Sequence, residues 1–187
     1  MKYLITGLGN IGKEYAETRH NVGFQILDTY LNGSGVEFED KRYAFVAEKK
    51  LKGRSLVFIK PTTYMNRSGL AINYWLQKHK IPVENLLVLV DDLALDFGTL
   101  RLKPKGGDGG HNGLANINQV LGGNKYARLR FGIGDNFGRG QQIDYVLGEW
   151  NSHEKKLLPE LYDKSIKIIE DFCTIGLQLA MTNNNGK

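Results

Sequence analysis

One of the four histidines, His20, lies where a general base would be useful. It belongs to the stretch TRHNVGF, between a glycine-rich loop and a segment with helical periodicity. An imidazole with an ordinary pKa of about 6.5 can take up a proton near neutral pH. An isolated loop histidine is more often structural or solvated. His20 is therefore a candidate base only if a carboxylate orients its ring.

Two adjacent carboxylates could supply that orientation. Asp91 and Asp92 follow the apolar run LLVLV, which predicts a buried strand. Successive strand residues point to opposite faces, so only one of the two acids can reach the same cleft as His20. The alternative is an ordinary acid at a strand end that contacts backbone or solvent.

Two unusual loops carry asparagines. The loop KPTTYMNRSG delivers Met65 and Asn66, and GGDGGHNGL delivers His111 and Asn112. An amide side chain both donates and accepts hydrogen bonds, so converging asparagines suit an ester carbonyl and the oxyanion that forms from it. Taken singly, each asparagine is more often a turn former or a helix cap.

Other catalytic chemistries find little support in the sequence. It contains no G-x-S-x-G elbow, no H-E-x-x-H helix and no Walker loop. A metal held by His20, His111, Asp91 or Asp92 would have no recognised ligand spacing behind it. The simplest scheme is water activated by a histidine, and we predict neither a metal nor a cofactor.

The stretch GLGNIG, residues 7–12, matches the dinucleotide fingerprint G-x-G-x-x-G. The residues after it are mostly polar, and Asp28 lies inside a predicted helix instead of ending a second strand, as the fingerprint requires. Three interpretations stay open: a nicotinamide site, a purely structural turn, and a loop that positions Asn10 for a substrate.

Strands and helices alternate along the chain. Apolar runs predict strands at residues 3–6, 43–51, 55–60, 86–90 and 128–133. Helical spacing follows Asn21, begins again near Ser68, includes 114–121 and covers 152–181, with Pro159 near a helix start or kink. We predict an α/β fold: three layers in a single domain, residues 1–187, with a twisted, mixed and mostly parallel sheet flanked by helices. Sites in such sheets lie beyond the carboxyl ends of the strands.

Composition narrows the setting. The chain is 41% hydrophobic and 24% charged, which fits one globular domain. No apolar run approaches the roughly 20 residues that cross a bilayer, so we expect a cytoplasmic protein without a membrane partner. The single cysteine, Cys173, excludes an internal disulfide and favours a buried, inert thiol.

The net charge of +5 is concentrated in one region. Residues 99–139 hold seven Lys or Arg and only two acids, so this segment alone accounts for the excess. A polyanion site and a merely solvated basic face both fit such a distribution.

Five motifs together resemble the bacterial-type peptidyl-tRNA hydrolases. In order they are GLGN, TRHNVGF, KPTTYMNRSG, VDDLAL and GGHNGL, and the resemblance covers nearly the whole chain. It implies an α/β enzyme, expected to be a monomer, whose partner is peptidyl-tRNA. Such an enzyme hydrolyses the ester between the peptide and the tRNA, so that tRNA from prematurely released chains returns to translation.

The resemblance also implies roles for individual residues. His20 would be the catalytic base, Asp91 would hold its tautomer, and Asn10 would help to distinguish blocked from unblocked aminoacyl ends. The residues that would contact the substrate or its tRNA are Tyr15, Tyr64, Met65, Asn66, Asn112, Lys103, Lys105 and Arg130.

This chain departs from the family pattern after the acidic pair. Asp96 stands where a proline is common, and Ala94 stands where a further acid is common. Both departures concern the local loop and its electrostatics. Two other functions fit parts of the sequence: a non-catalytic RNA-binding protein of the same fold, and an NAD-dependent dehydrogenase.

Overall fold

A seven-stranded mixed sheet forms the centre of the computed structural model, which describes residues 1–186. The strand order is β2-β3-β4-β1-β5-β7-β6. The four central strands run parallel, and the outer strands pair antiparallel to their neighbours. The strands are Lys2–Gly7 (β1), Glu39–Lys41 (β2), Ala44–Leu51 (β3), Arg54–Pro61 (β4), Leu86–Asp92 (β5), Leu100–Lys103 (β6) and Ala127–Gly132 (β7).

Helices cover both faces of the sheet. Helices α1, α5 and α6 pack on one face with side chains such as Ile26 and Phe172, and α2 and α3 pack on the other with Ile72 and Ile117. This arrangement confirms the predicted three-layer α/β fold. The helices are Val22–Leu31 (α1), Ser68–His79 (α2), Asn112–Leu121 (α3), Gln142–Val146 (α4), Ser152–Thr174 (α5) and Leu177–Asn184 (α6).

The loop after β1 runs close to α1. The backbones of Gly7 and Gly23 approach so closely that a Cβ on Gly23 would lie 2.4 Å from the Leu8 nitrogen. Two short 3-10 turns, Lys13–Tyr15 and Arg19–Asn21, separate the glycines from the helix. A dinucleotide fingerprint requires the helix to begin within the glycines, so this loop lacks that geometry.

Two details differ from the sequence-based prediction. The C-terminal segment forms two helices and not one, because the helix is interrupted at Gly176, whose φ of 90° is in the left-handed region. Of the two positions predicted for Pro159, a helix start or a kink, the start is wrong, because Pro159 lies inside α5. The actual start is fixed by a capping box in which Asn151 accepts from the Glu154 N–H and Glu154 accepts from the Asn151 N–H.

Both edges of the sheet carry features that disfavour pairing with a further strand. The three residues of β2 are all charged and exposed. On the other edge, the side chain of Asn185 accepts from the Leu102 N–H and donates to the Leu102 carbonyl, both at 2.9 Å. This amide therefore occupies backbone groups of β6 that a further strand would otherwise pair with.

Candidate active site

Three loops meet beyond the carboxyl ends of β1 and β5. His20 lies in the 3-10 turn after β1, Asp91 lies near the end of β5, and His111 immediately precedes α3. Because β1 and β5 are parallel neighbours, the segments that follow them leave the sheet at the same edge.

Asp91 contacts both histidines. Its Oδ2 lies 2.8 Å from His20 Nδ1, and its Oδ1 lies 2.8 Å from His111 Nε2. The two imidazole rings are 4.9 Å apart between centroids. Only 3% of the Asp91 side chain is exposed, so this is a buried carboxylate that holds two rings at once.

The two pKa shifts reflect this contact. Burial of Asp91 favours its neutral form. The charges of His20 and His111, and the hydrogen bonds that both rings make to Asp91, outweigh that effect and hold the pKa of Asp91 well below its ordinary range. Burial of His20 likewise favours its neutral form, but the charge of Asp91 and the hydrogen bond to it prevail. The pKa of His20 is therefore raised above its ordinary value.

The ring of His111 has a second set of partners. Its Nδ1 accepts from the backbone N–H groups of Gly113 and Leu114 and so caps the N-terminus of α3. An acceptor nitrogen carries no proton, so the proton of the neutral ring is on Nε2.

His20, Asp91 and His111 have the composition of a metal site. If His111 bound a metal through Nε2, the proton of its neutral ring would have to be on Nδ1, at which two backbone N–H groups already point. The helix cap therefore disfavours metal binding by His111.

The second acid of the pair faces other partners. Asp92 accepts from the Ala94 N–H at 2.8 Å and forms a short ion pair with Arg130 Nε. The neighbouring strand β7 supplies Arg130, which is in register with Val90. The two adjacent acids thus serve different sites: Asp91 contacts imidazoles, and Asp92 contacts a guanidinium.

A cavity of about 820 Å³ opens over these residues. His20 and Asp91 lie among its lining residues, and the glycine-rich loop at 106–110 and residues of α4 form other parts of its wall. Of the predicted site residues, the cavity is lined by His20, Asp91, Asn112, Lys103, Lys105 and Arg130.

The other predicted residues lie outside the cavity lining. Asn10 Oδ1 accepts from the Met65 N–H at 2.8 Å, and this bond joins the glycine loop to the 62–67 loop. Met65 is buried, and its sulfur would lie 2.7 Å from a Cβ on Gly113. Asn66 and Tyr64 are exposed, and Tyr64 has a left-handed φ of 60°. The remaining residue, Tyr15, is half-buried in the first 3-10 turn.

Arg19 connects the histidine turn to the cavity wall. Its guanidinium donates to Glu154 at 2.8 Å and to the Tyr145 carbonyl at 3.1 Å, and it lies 4.2 Å from the centre of the Tyr145 ring. Only 8% of Arg19 is exposed. Because Tyr145 belongs to α4, the residue next to His20 fixes this short helix.

Sequence reasoning did not assign roles to His111 or Arg19. From the sequence, His111 is only a loop residue and a metal-ligand candidate without recognised spacing, and its contact with Asp91 depends on how α3 meets β5. The signal that was available is the order H-N-G-L before an apolar helix, since the Nδ1 of a histidine can cap a helix. Arg19 carries no such signal.

Comparison with known proteins agrees with the five motifs and with the fold. The family model described as peptidyl-tRNA hydrolase matches residues 4–187. A peptidyl-tRNA hydrolase of Parabacteroides distasonis is 56% identical over 187 residues, with both chains fully covered. One of Porphyromonas gingivalis is 55% identical over 99% of this chain and 100% of its own.

The fold is also that of a solved enzyme. The crystal structure of peptidyl-tRNA hydrolase from Acinetobacter baumannii superposes with a TM-score of 0.91 at 33% identity, covering 98% of this chain and 94% of that one. Sequence motifs, full-length similarity and architecture agree, and the chain belongs to the peptidyl-tRNA hydrolase family.

Proposed function

We propose that this chain hydrolyses the ester between a peptide and tRNA with His20 as the general base. The observation that carries the proposal is the bond between His20 Nδ1 and the buried Asp91 carboxylate. An ionised carboxylate only accepts hydrogen bonds, so Nδ1 carries the proton and Nε2 is the ring nitrogen with a free lone pair. A tautomer fixed in this way is what a base needs to take a proton from water.

The reaction follows from that tautomer. Water gives a proton to His20 Nε2, and its oxygen attacks the ester carbonyl carbon. The resulting oxyanion is stabilised by amide or backbone N–H donors, and the ribose oxygen leaves with the proton from His20. A positioned base contributes about 10²–10⁴-fold, and one preorganised oxyanion donor contributes roughly another 10²–10³-fold.

The asparagine loops supply the donors in this proposal. Asn66 or nearby backbone N–H groups stabilise the oxyanion, and Asn112, at the first turn of α3 beside the cavity, contacts the tRNA end or the peptide. The side-chain oxygen of Asn10 accepts from the Met65 N–H, so its NH₂ group remains to donate to the acyl carbonyl that blocks the amine. Tyr15 and Tyr64 complete the contacts with the peptide or the tRNA end, and the buried Met65 packs beside them.

Three cations on the other side of the cavity are assigned to the RNA. Lys103 ends β6, Lys105 follows it, and Arg130 lies on the adjacent strand β7. Phosphate binding by such groups supplies affinity without sequence information. The ion pair with Asp92 uses the Nε of Arg130, so its two terminal nitrogens are the groups available to a phosphate.

The proposed setting follows from the substrate. We place the enzyme in the cytoplasm, because peptidyl-tRNA arises where translation takes place. The family resemblance is the basis on which we propose a monomer of one domain. No helix within residues 1–186 combines the length and the apolar character needed to cross a membrane.

Hydrolysis of N-acetyl-aminoacyl-tRNA tests this proposal. The purified chain should release free tRNA without an added cofactor, and it should leave an unblocked aminoacyl-tRNA largely intact. A chain that binds tRNA but cleaves neither substrate would instead be the non-catalytic RNA-binding protein that the sequence also allowed.

A further inference from the structure

His111 lies between a helix end and the carboxylate that orients the base. Its Nδ1 is 3.1 Å from the Gly113 nitrogen and 3.4 Å from the Leu114 nitrogen, and its Nε2 is 2.8 Å from Asp91 Oδ1. Its side chain is 10% exposed. Both ring nitrogens therefore have protein partners, and the ring offers no free nitrogen to a substrate.

These partners determine where the ring proton is. Two backbone N–H groups point at Nδ1, and an N–H can only donate, so Nδ1 must present its lone pair. The proton of the neutral ring is then on Nε2 and is donated to Asp91. The first turn of α3 has N–H groups without intrahelical partners, so the helix itself imposes this tautomer.

We propose that His111 is a positioning residue that α3 locks in the Nε2–H tautomer, so that Asp91 is held at both oxygens while it orients His20. This inference rests on the proposed function, in which His20 is the base. It adds a residue to which the family resemblance gave no role. His111 does not touch the substrate in this scheme and acts only through Asp91.

Two consequences follow for Asp91. A carboxylate bonded at one oxygen can rotate about its Cβ–Cγ bond, whereas bonds at both oxygens fix its plane and the direction of the His20 ring. The Nε2–H of His111 also draws electron density from the carboxylate and lowers its attraction for a proton on His20. His20 and His111 are the titratable groups that act on Asp91, and Asp91 is the one that acts on His20.

Two substitutions separate the two ends of the ring. The amide of asparagine reaches the place of Nδ1, so His111→Asn keeps an acceptor for the helix cap and loses the donor to Asp91. The longer glutamine reaches the place of Nε2, so His111→Gln keeps a donor near Asp91 and loses the cap. A merely structural histidine would give the opposite ranking in activity, because the cap would be the contact that matters.

We expect the bond to Asp91, and not the helix cap, to determine activity. The Asn variant should lose kcat by about 10–100-fold, the cost of one hydrogen bond to a charged group, with little change in KM. The Gln variant should recover most of that kcat and lower Tm by about 2–4 °C, as the loss of one helix cap does in a chain of this size. Equal kcat losses in the two variants, or an Asn variant with wild-type kcat, would overturn the proposal.

The pH dependence gives a signed readout. Without the donor from His111, Asp91 should stabilise protonated His20 more strongly, so the titration of His20 should move to higher pH in His111→Asn. An NMR titration of the His20 ring measures this movement without any substrate. Movement to lower pH, or no movement, counts against the proposal.

The tautomer can be observed directly. ¹⁵N NMR of labelled protein near pH 7 should show His111, identified by the signals that vanish in His111→Asn, with a bare Nδ1 and a protonated Nε2. A protonated Nδ1 would refute the inference even if the enzyme is active. If the tautomer is as stated but His20→Ala retains full activity, the proposed function fails and the tautomer assignment stands.

Discussion

At the scale of single residues, one buried carboxylate serves two rings that do different work. Asp91 lies 2.8 Å from Nδ1 of His20 and 2.8 Å from Nε2 of His111, and in the proposed scheme it accepts from both, so that the two imidazoles have opposite tautomers. The free nitrogen of His20 lies on the cavity side of the pair in the proposed scheme, and that of His111 is taken up by α3. The proposed scheme therefore gives two identical side chains distinct roles, because two backbone N–H groups contact the ring of His111.

Removal of the proposed base should stop the reaction without unfolding the protein. We expect His20→Ala to lower kcat by at least about 10²-fold, the low end for a general base. Steady-state kinetics on N-acetyl-aminoacyl-tRNA, with circular dichroism to verify folding, measures this. His153→Ala is the matched control, because His153 is exposed at the start of α5. A folded His20→Ala variant with most of the wild-type kcat would contradict the assignment.

The two adjacent acids should respond differently to amidation. Because Asp91 raises the pKa of His20, the acid limb of kcat/KM should lie above about pH 6.5, and activity should rise as His20 loses its proton. Asp91→Asn removes that charge, so kcat should fall and the limb should move to lower pH. Asp92→Asn should leave the limb in place, because Asp92 contacts Arg130. Equal losses and equal limbs in the two variants would argue against the orientation by Asp91.

At the scale of elements, the contact between β1 and α1 sets where His20 lies. Gly7 and Gly23 touch through their backbones, and a Cβ at either position would overlap the other segment. His20 lies only three residues before Gly23 in the chain. Because β5 pairs with β1, the spacing between α1 and β1 also affects how the histidine turn lies against Asp91.

A methyl group at this contact should harm both stability and activity. Gly23→Ala would place a Cβ 2.4 Å from the Leu8 nitrogen, and overpacking of this kind costs about 1–3 kcal/mol. Urea unfolding should show the lower midpoint, and kcat should fall because the turn that carries His20 is displaced. Gly123→Ala is the control, since a Cβ there meets nothing within 4 Å. Equal urea midpoints for the two variants would mean that the contact between β1 and α1 can accommodate a methyl group without a loss of stability.

The elements that sequence predicted well are those with their own apolar pattern. The buried strands β1, β4 and β5 and the helix α2 have such patterns, so their positions follow from periodicity. The short helix α4 has no buried residue of its own. It is held by Arg19, more than a hundred positions away in the chain, and no local pattern encodes that contact. The contact between His111 and Asp91 is likewise absent from any local pattern, although the H-N-G-L order does indicate the helix cap.

At the scale of the whole molecule, the basic region is only partly free. Arg128 is buried, and it donates to the carbonyls of Gly107 and Asn124, which ties down the glycine-rich loop. Burial lowers the pKa of this guanidinium. Arg130 is paired with Asp92. A count of charges along the sequence therefore overstates the number of cations that are free to bind a polyanion. Lys103 and Lys105 are the lysines that line the cavity, and we expect them to bind phosphate.

Loss of those lysines should act on affinity. Each phosphate contact adds about −0.9 to the slope of log K against log salt on a duplex, and about −0.7 on a single strand. The pair Lys103→Ala, Lys105→Ala should flatten the slope by between about one and two units and raise KM, with little change in kcat at saturation. Kinetics on full tRNA at several ionic strengths measure these quantities.

Two comparisons make that result specific. The pair Lys50→Ala, Lys52→Ala alters the β3–β4 turn at the opposite end of the strands, so its salt slope should equal that of the wild type. A short ester without the tRNA body has no distant phosphates, so the Lys103, Lys105 pair should leave its kinetics unchanged. The same penalty on the short ester and on full tRNA would disprove the phosphate assignment.

The side chain of Asn185, which bonds to Leu102 of the edge strand β6, should hinder self-assembly through that edge. An uncovered edge strand is a template on which a second copy can add its own edge and extend one sheet into another. Asn185→Ala would free the N–H and carbonyl of Leu102. We expect this variant to keep wild-type kcat when dilute and to form larger species as concentration rises, measured by light scattering. The opposite edge strand, β2, consists of three exposed charged residues, and charged side chains on an edge strand disfavour pairing with a further strand.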